Sequence, residues 1–194
     1  MIKLSSLLKR KVALIRENTN TSQLCITANR LSTLLAKENI PHFIVGGYAV
    51  QEYGYARSTN DIDIIIPNRQ AAIDYLSING FVEVRGNKMK LIDRANRVEV
   101  DVLEGGERLS SKSNVPLPIP KKVTTKPNII GIVDLFNLKL DSYATSPDRL
   151  QDGADVGKLI VQHKLPLKLS ARLNPHVRDT YKEIWKRFNL TIDI

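Results

Sequence analysis

The sequence predicts a mixed α/β (α+β) fold, in which a small mixed sheet is flanked by helices and followed by a helical C-terminal part. Two segments have strand character, NDIDIIIP and RVEVDVL, and the second alternates strictly between valine and acidic residues. Segments with apolar residues at helical spacing precede, separate and follow these strands. A shift in composition near residue 128 divides the chain into a core, residues 1–128, and a helical part, residues 129–194, and we expect the two to pack as one compact unit.

The N-terminal part of the core is predicted to be helical. Residues 1–17 and 22–39 both have amphipathic patterns, and Thr21 or Ser22 caps the second helix. That helix is expected to end before Pro41. Its buried face is formed by four apolar residues, Leu24, Ala28, Leu31 and Leu35.

The centre of the chain has the pattern strand, helix, strand, helix. HFIVGG is a short apolar strand that ends in Gly46 and Gly47, and YAVQEYGY can form about two helical turns before Gly54. The strand NDIDIIIP ends at Pro67. The segment NRQAAIDYLSING then has the features of a helix, with Asn68 as its cap and Gly80 at its end.

Three strands, a loop and three helices are predicted to complete the chain. The strands are FVEVR, KMKLID and RVEVDVL, and alternation places Asp101 on the polar face of the last one. Residues 104–128 contain four of the nine prolines and are expected to form a loop. The helices are GIVDLFNLKLDSYA, DRLQDGADVGKLIVQH and PHVRDTYKEIWKRF.

Composition places the chain among globular proteins with a basic surface. Hydrophobic residues make up 42% and charged residues 25%, and the net charge is +9. A positive field favours polyanions such as nucleic acid, although a lysine and arginine excess also serves solubility alone. The one cysteine, Cys25, excludes an intrachain disulfide, and the first residues form neither a signal-peptide core nor a membrane span. We therefore expect a cytoplasmic protein without a membrane partner.

Asp61 and Asp63 are the most informative residues of the sequence. They are two apart in a strand and so share one face, while isoleucines take the other. If Asp101 lies on a neighbouring strand, three carboxylates converge and require a cation. Because all three are hard oxygen ligands, Mg²⁺ or Mn²⁺ is favoured over zinc. The alternative is that Asp61 caps the strand entrance while Asp63 bonds to a loop.

A glycine pair and a polar turn suggest a phosphate site beside these carboxylates. Gly46 and Gly47 allow close approach of backbone N–H groups to an anion. The turn between the glycines and the acidic strand contains Arg57, Ser58 and Thr59. A phosphate site next to a metal site is what a nucleoside triphosphate requires.

This combination resembles the nucleotidyltransferase fold of the DNA polymerase beta superfamily, and within it the minimal nucleotidyltransferases grouped with the AbiEii abortive-infection toxins. Members of that group tend to have a lysine-bearing helix followed by an R-x-x-D-x-x-D helix. The segment LFNLKLDSYATSPDRLQDGADVGKLI has Lys139, Arg149, Asp152 and Asp155 in those places. The resemblance covers roughly residues 41–165.

The resemblance implies roles for the individual residues. Asp61 and Asp63 would bind metal ions, and Asp101 would bind one and help to activate an acceptor hydroxyl. The triphosphate would be bound by Gly46, Gly47, Arg57, Ser58, Thr59 and Lys139. The chain departs from the pattern at Tyr48, where many members have serine, and at Gly153, which weakens the second helix. Asp152 and Asp155 have the alternative of capping or pairing within helices.

The expected function is metal-dependent transfer of a nucleoside monophosphate from a triphosphate to a hydroxyl. The acceptor is expected to be RNA, with a tRNA 3′ end as one form of it, ahead of a protein or an aminoglycoside-like small molecule. By resemblance the protein would be the toxin of a toxin–antitoxin pair, with a cognate antitoxin as partner. The alternative is a non-catalytic module for binding nucleic acid or protein that kept the fold.

Overall fold

A five-stranded mixed sheet forms the centre of the computed structural model, which describes residues 23–146 and 148–190. The strand order is β1-β2-β5-β4-β3. β2 and β5 are parallel, and the other neighbours are antiparallel. The strands are β1 (Phe43–Val45), β2 (Asp61–Ile66), β3 (Phe81–Val84), β4 (Asn87–Asp93) and β5 (Val98–Glu104). The predicted mixed sheet is confirmed.

Helices lie on both faces of this sheet. They are α1 (Gln23–Lys37), α2 (Gly46–Glu52), α3 (Arg69–Ile78), α4 (Ile132–Thr145), α5 (Leu150–His163) and α6 (Arg178–Leu190). Two 3₁₀ segments, Leu167–Arg172 and Pro175–Val177, connect α5 to α6. The helix predicted for residues 1–17 and the cap at Thr21 or Ser22 lie outside the described residues. Among the residues that are described, no helix is both long enough and apolar enough to cross a membrane.

Local signals determine where two of the helices end or begin. The Asn68 side chain accepts a hydrogen bond from the backbone N–H of Ala71 and so caps α3 as predicted. Helix α1 ends at Lys37, because Asn39 adopts a left-handed conformation with φ of 54°. The predicted stop at Pro41 lies beyond this turn.

The two faces of β2 and β5 have opposite character. Ile62, Ile64, Val100 and Val102 are fully buried, and α1 and α3 cover them. These helices contribute Ala28, Leu31, Leu35, Ala72, Ile73 and Leu76 to the same apolar cluster. The alternation that predicted a buried face is confirmed, and it leaves the acidic residues of both strands on the opposite face.

A second apolar cluster joins the sheet to the C-terminal helices. It contains Val45 and Ile65 from the sheet and Phe136, Leu159 and Tyr181 from α4, α5 and α6. Residues 128–130 also extend the sheet, because the N–H of Ile44 bonds to the carbonyl of Asn128 and the N–H of Ile130 bonds to the carbonyl of Ile44. The division of the chain near residue 128 stays a prediction.

Candidate functional site

The acidic residues of β2 and β5 lie on neighbouring parallel strands. Asp63 is the register partner of Asp101, and Asp61 is the register partner of Glu99. Register partners in a sheet point to the same face, so these carboxylates share the face that α4 and α5 approach. We refer to Asp61, Asp63 and Asp101 as the acid group. Asp101 thus lies on the strand next to Asp61 and Asp63, as the prediction required. Their convergence on one cation stays a prediction.

Asp63 is the most constrained member of the acid group. Burial raises its pKa from 3.8 to about 6, and the charges of Asp61 and Asp101 add to this effect. Lys139 and Arg149 oppose the rise. A Cβ built on Gly46 would overlap the carboxylate of Asp63, so only glycine allows this approach. Gly46 also has a φ of 65°, which favours glycine independently.

The turn before β2 connects Asp61 to the second glycine. The Thr59 hydroxyl donates to Asp61 Oδ1 at 2.8 Å. A Cβ on Gly47 would overlap Thr59 and crowd the Arg57 guanidinium, so both side chains cover the first turn of α2. Ser58 is exposed, and its carbonyl accepts a hydrogen bond from Arg57 Nη1 at 2.8 Å. The turn therefore brings Thr59 to Asp61 and both Thr59 and Arg57 to Gly47.

Tyr48, which departs from the family pattern, does not face the acid group. It is 3% exposed and packs in the apolar cluster behind the sheet, together with Ile62 and Ile64. Burial raises its pKa, and the charge of Glu52 contributes. Its hydroxyl is therefore a core group.

Asp101 contacts a cation from β4. Lys90 is its register partner, with Nζ 3.4 Å from Asp101 Oδ1 and 2.7 Å from Glu99 Oε2. Burial raises the pKa of Asp101, and the charge of Lys90 opposes that rise. The hydrogen bond to Glu99 is the main cause of a raised pKa at Lys90. Sequence reasoning missed Lys90.

Lys139 belongs to a buried ionic network. It is 5% exposed, and its Nζ lies 2.7 Å from Asp152 Oδ1 and 2.8 Å from Asp155 Oδ2. Asp155 is fully buried and also lies 3.3 Å from Arg57 Nε. The two aspartates thus form ion pairs with cations of other elements. Asp155 also accepts a hydrogen bond from Gln151 within α5, so the alternative applies to it in part. The network connects α4 and α5 to the turn before β2.

Gly153 allows α5 to pack closely on α4. A Cβ on Gly153 would lie 2.8 Å from the Tyr143 ring, nearer than real Cβ contacts occur. The helix nevertheless continues through this residue from Leu150 to His163. Close approach accounts for the glycine that seemed unfavourable in sequence.

A cavity of about 320 Å³ is lined by two members of the acid group and by residues of α4 and α5. Gly46, Asp63 and Asp101 lie on one side of it, and Lys139 lies on the other. Further polar residues that line it are Ser110, Ser113, Ser142, Thr145, Ser146, Arg149 and Asp152. Ser142 and Thr145 lie three residues apart on α4, which is the spacing of one helical face, so the sequence contained a signal for these two. Ser146 and Arg149 follow the end of that helix. Gly47, Arg57, Ser58, Thr59 and Asp61 are not among the lining residues.

The acid group fits a hard divalent cation in its donor type. Carboxylate oxygens are the ligands that Mg²⁺ and Mn²⁺ prefer, and the absence of a side chain at Gly46 makes room for the Asp63 carboxylate. As arranged, no three acidic, histidine or cysteine side chains of residues 23–146 and 148–190 are close enough to hold one ion. Thr59 bonds to Asp61. Because Lys90 pairs with Asp101, a cation would compete with Lys90 for that carboxylate.

Comparison with solved structures finds similar chains of low sequence identity, including the following three. A solution structure of the antibiotic-resistance factor ANT(2″)-Ia is 11% identical, covers 88% of this chain and 94% of its own, and has a TM-score of 0.46. A crystal structure of ANT(2″)-Ia in complex with adenylyl-2″-tobramycin is 12% identical, covers 91% and 99%, and has a TM-score of 0.44. JHP933 from Helicobacter pylori is 15% identical, covers 87% and 92%, and has a TM-score of 0.30.

Neither a protein-family model nor a curated protein matches the chain. The interpretation of the site therefore depends on the geometry of this chain alone.

Proposed function

We propose that the protein is a metal-dependent nucleotidyltransferase that transfers a nucleoside monophosphate from a triphosphate to a hydroxyl and releases pyrophosphate. The observation that carries the proposal is the pairing of Asp63 with Asp101 on neighbouring parallel strands, with Asp63 against the backbone of Gly46. Carboxylates crowded in this way need a cation, and a triphosphate bound through that cation needs open backbone beside it.

The acid group would hold the metal, for which Mg²⁺ or Mn²⁺ suits the oxygen ligands. When bound, the metal supplies positive charge that aligns the attacking and leaving oxygens and stabilises the charge that develops on them. The paired register of Asp63 and Asp101 supports this assignment. Asp101 would also orient the acceptor hydroxyl, because it lines the cavity and its side chain is 27% exposed.

The triphosphate would lie along the start of α2. Because Gly46 and Gly47 have no side chains, Asp63, Arg57 and Thr59 approach its backbone closely. Arg57 and Thr59, with the neighbouring Ser58, would contact the phosphates. Lys139 has a less direct role in this proposal than the family resemblance implies. Two carboxylates already pair with its ammonium. It would therefore act mainly through its positive charge, which opposes the rise in the pKa of Asp63.

We further propose RNA, such as a tRNA 3′ end, as the acceptor. Basic side chains of the loop and of the C-terminal part are exposed, as contact with a phosphate backbone requires. They are Lys121, Lys122, Lys164, Lys168, Arg172, Lys182, Lys186 and Arg187. A toxin role of the AbiEii type, with an antitoxin partner, belongs to the same proposal and depends on the sequence resemblance alone.

A binding experiment separates the enzyme from the alternative, a non-catalytic module that kept the fold. Thermal unfolding is followed with ATP, GTP, CTP or UTP, each with Mg²⁺ or with EDTA. The proposal predicts stabilisation by at least one triphosphate only when Mg²⁺ is present, and loss of that effect in Asp63→Asn. Equal stabilisation with EDTA, or none with any triphosphate, would favour the non-catalytic module.

The acceptor is found by incubating the protein with labelled triphosphates and separate pools of RNA, protein and aminoglycosides. Label that enters RNA supports the proposed acceptor. Label that enters only protein or an aminoglycoside contradicts the RNA assignment and leaves the transferase intact.

A further inference from the structure

Lys90, Asp101 and Asp63 form one row across three strands of the sheet. Lys90 on β4 is the register partner of Asp101 on β5, and Asp101 is the register partner of Asp63 on β2. Register partners point to the same face, so the ammonium lies on the face of the acid group. Lys90 is thus the cation that the sheet itself brings to these carboxylates.

The contacts of Lys90 are not those of a simple cross-strand pair. Its Nζ lies 3.4 Å from Asp101 Oδ1 and 2.7 Å from Glu99 Oε2. Glu99 is not opposite Lys90, because its register partner on β4 is Ile92. The ammonium therefore lies between two carboxylates, one inside the acid group and one outside it.

We propose that Lys90 is the internal counter-ion of Asp101, which a divalent cation must displace, and that Lys90 thereby sets the metal affinity of the acid group. This inference rests on the metal site of the proposed function. Lys90 acts through Asp101 and is a positioning residue. Glu99 provides the position to which the ammonium withdraws, because it already holds that ammonium at hydrogen-bond distance.

The physical reason is competition for the same carboxylate. A divalent cation bound to Asp101 and an ammonium within about 4–6 Å of it repel each other by roughly 1–2 kcal/mol, even at the dielectric constant of water. Withdrawal of Lys90 toward Glu99 relieves part of this repulsion, and metal binding must supply the cost of breaking the Asp101 contact. Removal of the ammonium should therefore strengthen metal binding.

The test measures Mn²⁺ binding to the full chain by titration calorimetry and by electron paramagnetic resonance of free Mn²⁺, without nucleotide. Lys90→Met keeps the aliphatic stem and removes the charge, and it should bind Mn²⁺ about tenfold more tightly than wild type. Lys88→Met is the matched control, because Lys88 is exposed and lies two residues earlier on the same strand. At physiological salt, screening should limit the effect of Lys88→Met on Mn²⁺ affinity to less than about twofold.

A double-variant cycle distinguishes local competition from summed charge. In an Asp101→Asn background, the effect of Lys90→Met should fall to that of Lys88→Met. Equal Mn²⁺ affinity in wild type and Lys90→Met would overturn the inference while leaving the metal site intact. Equal gains from Lys90→Met and Lys88→Met would also overturn it. Absence of Mn²⁺ binding to wild type and to every variant would instead overturn the metal site, and the proposed function with it.

Discussion

The carboxylate of Asp63 packs directly against the backbone of Gly46, where β1 ends and α2 begins. No residue with a Cβ at position 46 would allow this contact. The φ of 65° at Gly46 also favours glycine there. Asp63 is consequently buried between glycine backbone, its register partner Asp101 and the cations of α4 and the α4–α5 turn. Its ionised form should be unfavourable without a metal, and this has a measurable effect on stability.

Replacement of Asp63 by asparagine should stabilise the metal-free protein at neutral pH and abolish transfer. The pKa of Asp63 is raised from 3.8 to about 6, so the folded state binds the proton more tightly than the unfolded state does. Wild type should lose stability as pH rises from about 4 to 6, and Asp63→Asn should not. We expect a gain of about 1–3 kcal/mol above pH 6.

The measurement is urea unfolding in EDTA at pH 4 and pH 7.5, with Asp74→Asn as an exposed control carboxylate. A gain of equal size at both pH values would show that ionisation of Asp63 is not the cause. Retained transfer activity in Asp63→Asn would remove this residue from the metal site.

Asp101, and not Glu99, should be required for Mg²⁺-dependent triphosphate binding. Both side chains point to the same face, but only Asp101 is in register with Asp63 and lines the cavity. Asp101→Ala should lose binding, whereas Glu99→Ala should retain it within a few-fold. Triphosphate titration with Mg²⁺ compares the two variants directly. The opposite pattern, with Glu99 required and Asp101 dispensable, would mean that the cation binds two residues along the strands, at the Asp61–Glu99 pair.

Gly153→Ala should destabilise the protein although alanine favours helix. Alanine gains about 1 kcal/mol in helix propensity, but overpacking costs about 1–3 kcal/mol, and here the new Cβ would lie 2.8 Å from the Tyr143 ring. Urea unfolding checks the cause by measuring the effect of Gly153→Ala on stability in two backgrounds, wild type and Tyr143→Ala. In that background the same change should be neutral or stabilising. Destabilisation of equal size in both backgrounds would rule out the ring as the cause.

If RNA is the acceptor, replacing Lys121 and Lys122 together by glutamine should weaken RNA binding and leave triphosphate affinity nearly unchanged. Each phosphate contact contributes a slope of about 0.7–0.9 to the fall of log affinity with log salt, so the double variant should have a shallower slope. Lys37→Gln with Lys88→Gln is the matched control, since these lysines are also exposed. A steep salt dependence that neither pair alters would exclude the loop as the RNA contact.

The parts of the structure that depend on local pattern could be predicted from the sequence. Alternation in RVEVDVL placed Asp101 opposite the buried valines, and the isoleucines of β2 indicated which face carries Asp61 and Asp63. The cap at Asn68 and the break at Gly46 and Gly47 are also local signals. Each depends on residues within a few positions, where periodicity and backbone preference decide the outcome.

The contacts that depend on long-range packing could not be predicted. Lys90 reaches Asp101 only because β4 is antiparallel to β5 in that register, which the sequence does not specify. Asp155 meets Arg57 because α5 packs onto the turn before β2. The packing of α5 onto α4 explains Gly153, whose low helix propensity is offset by the contact with Tyr143. These relationships form the part of the site that the predicted residue set lacked.

Incubation with two forms of labelled triphosphate tests the central claim most directly. The triphosphate that stabilises the protein is supplied with Mg²⁺ and the acceptor pool, labelled at either the α- or the γ-phosphate. The account predicts that α-label becomes attached to the acceptor while γ-label appears in pyrophosphate, and that Asp61→Asn and Asp63→Asn do neither. Two results would contradict nucleotidyl transfer. One is attachment of the γ-label to the acceptor. The other is that no acceptor gains the α-label and no pyrophosphate is released.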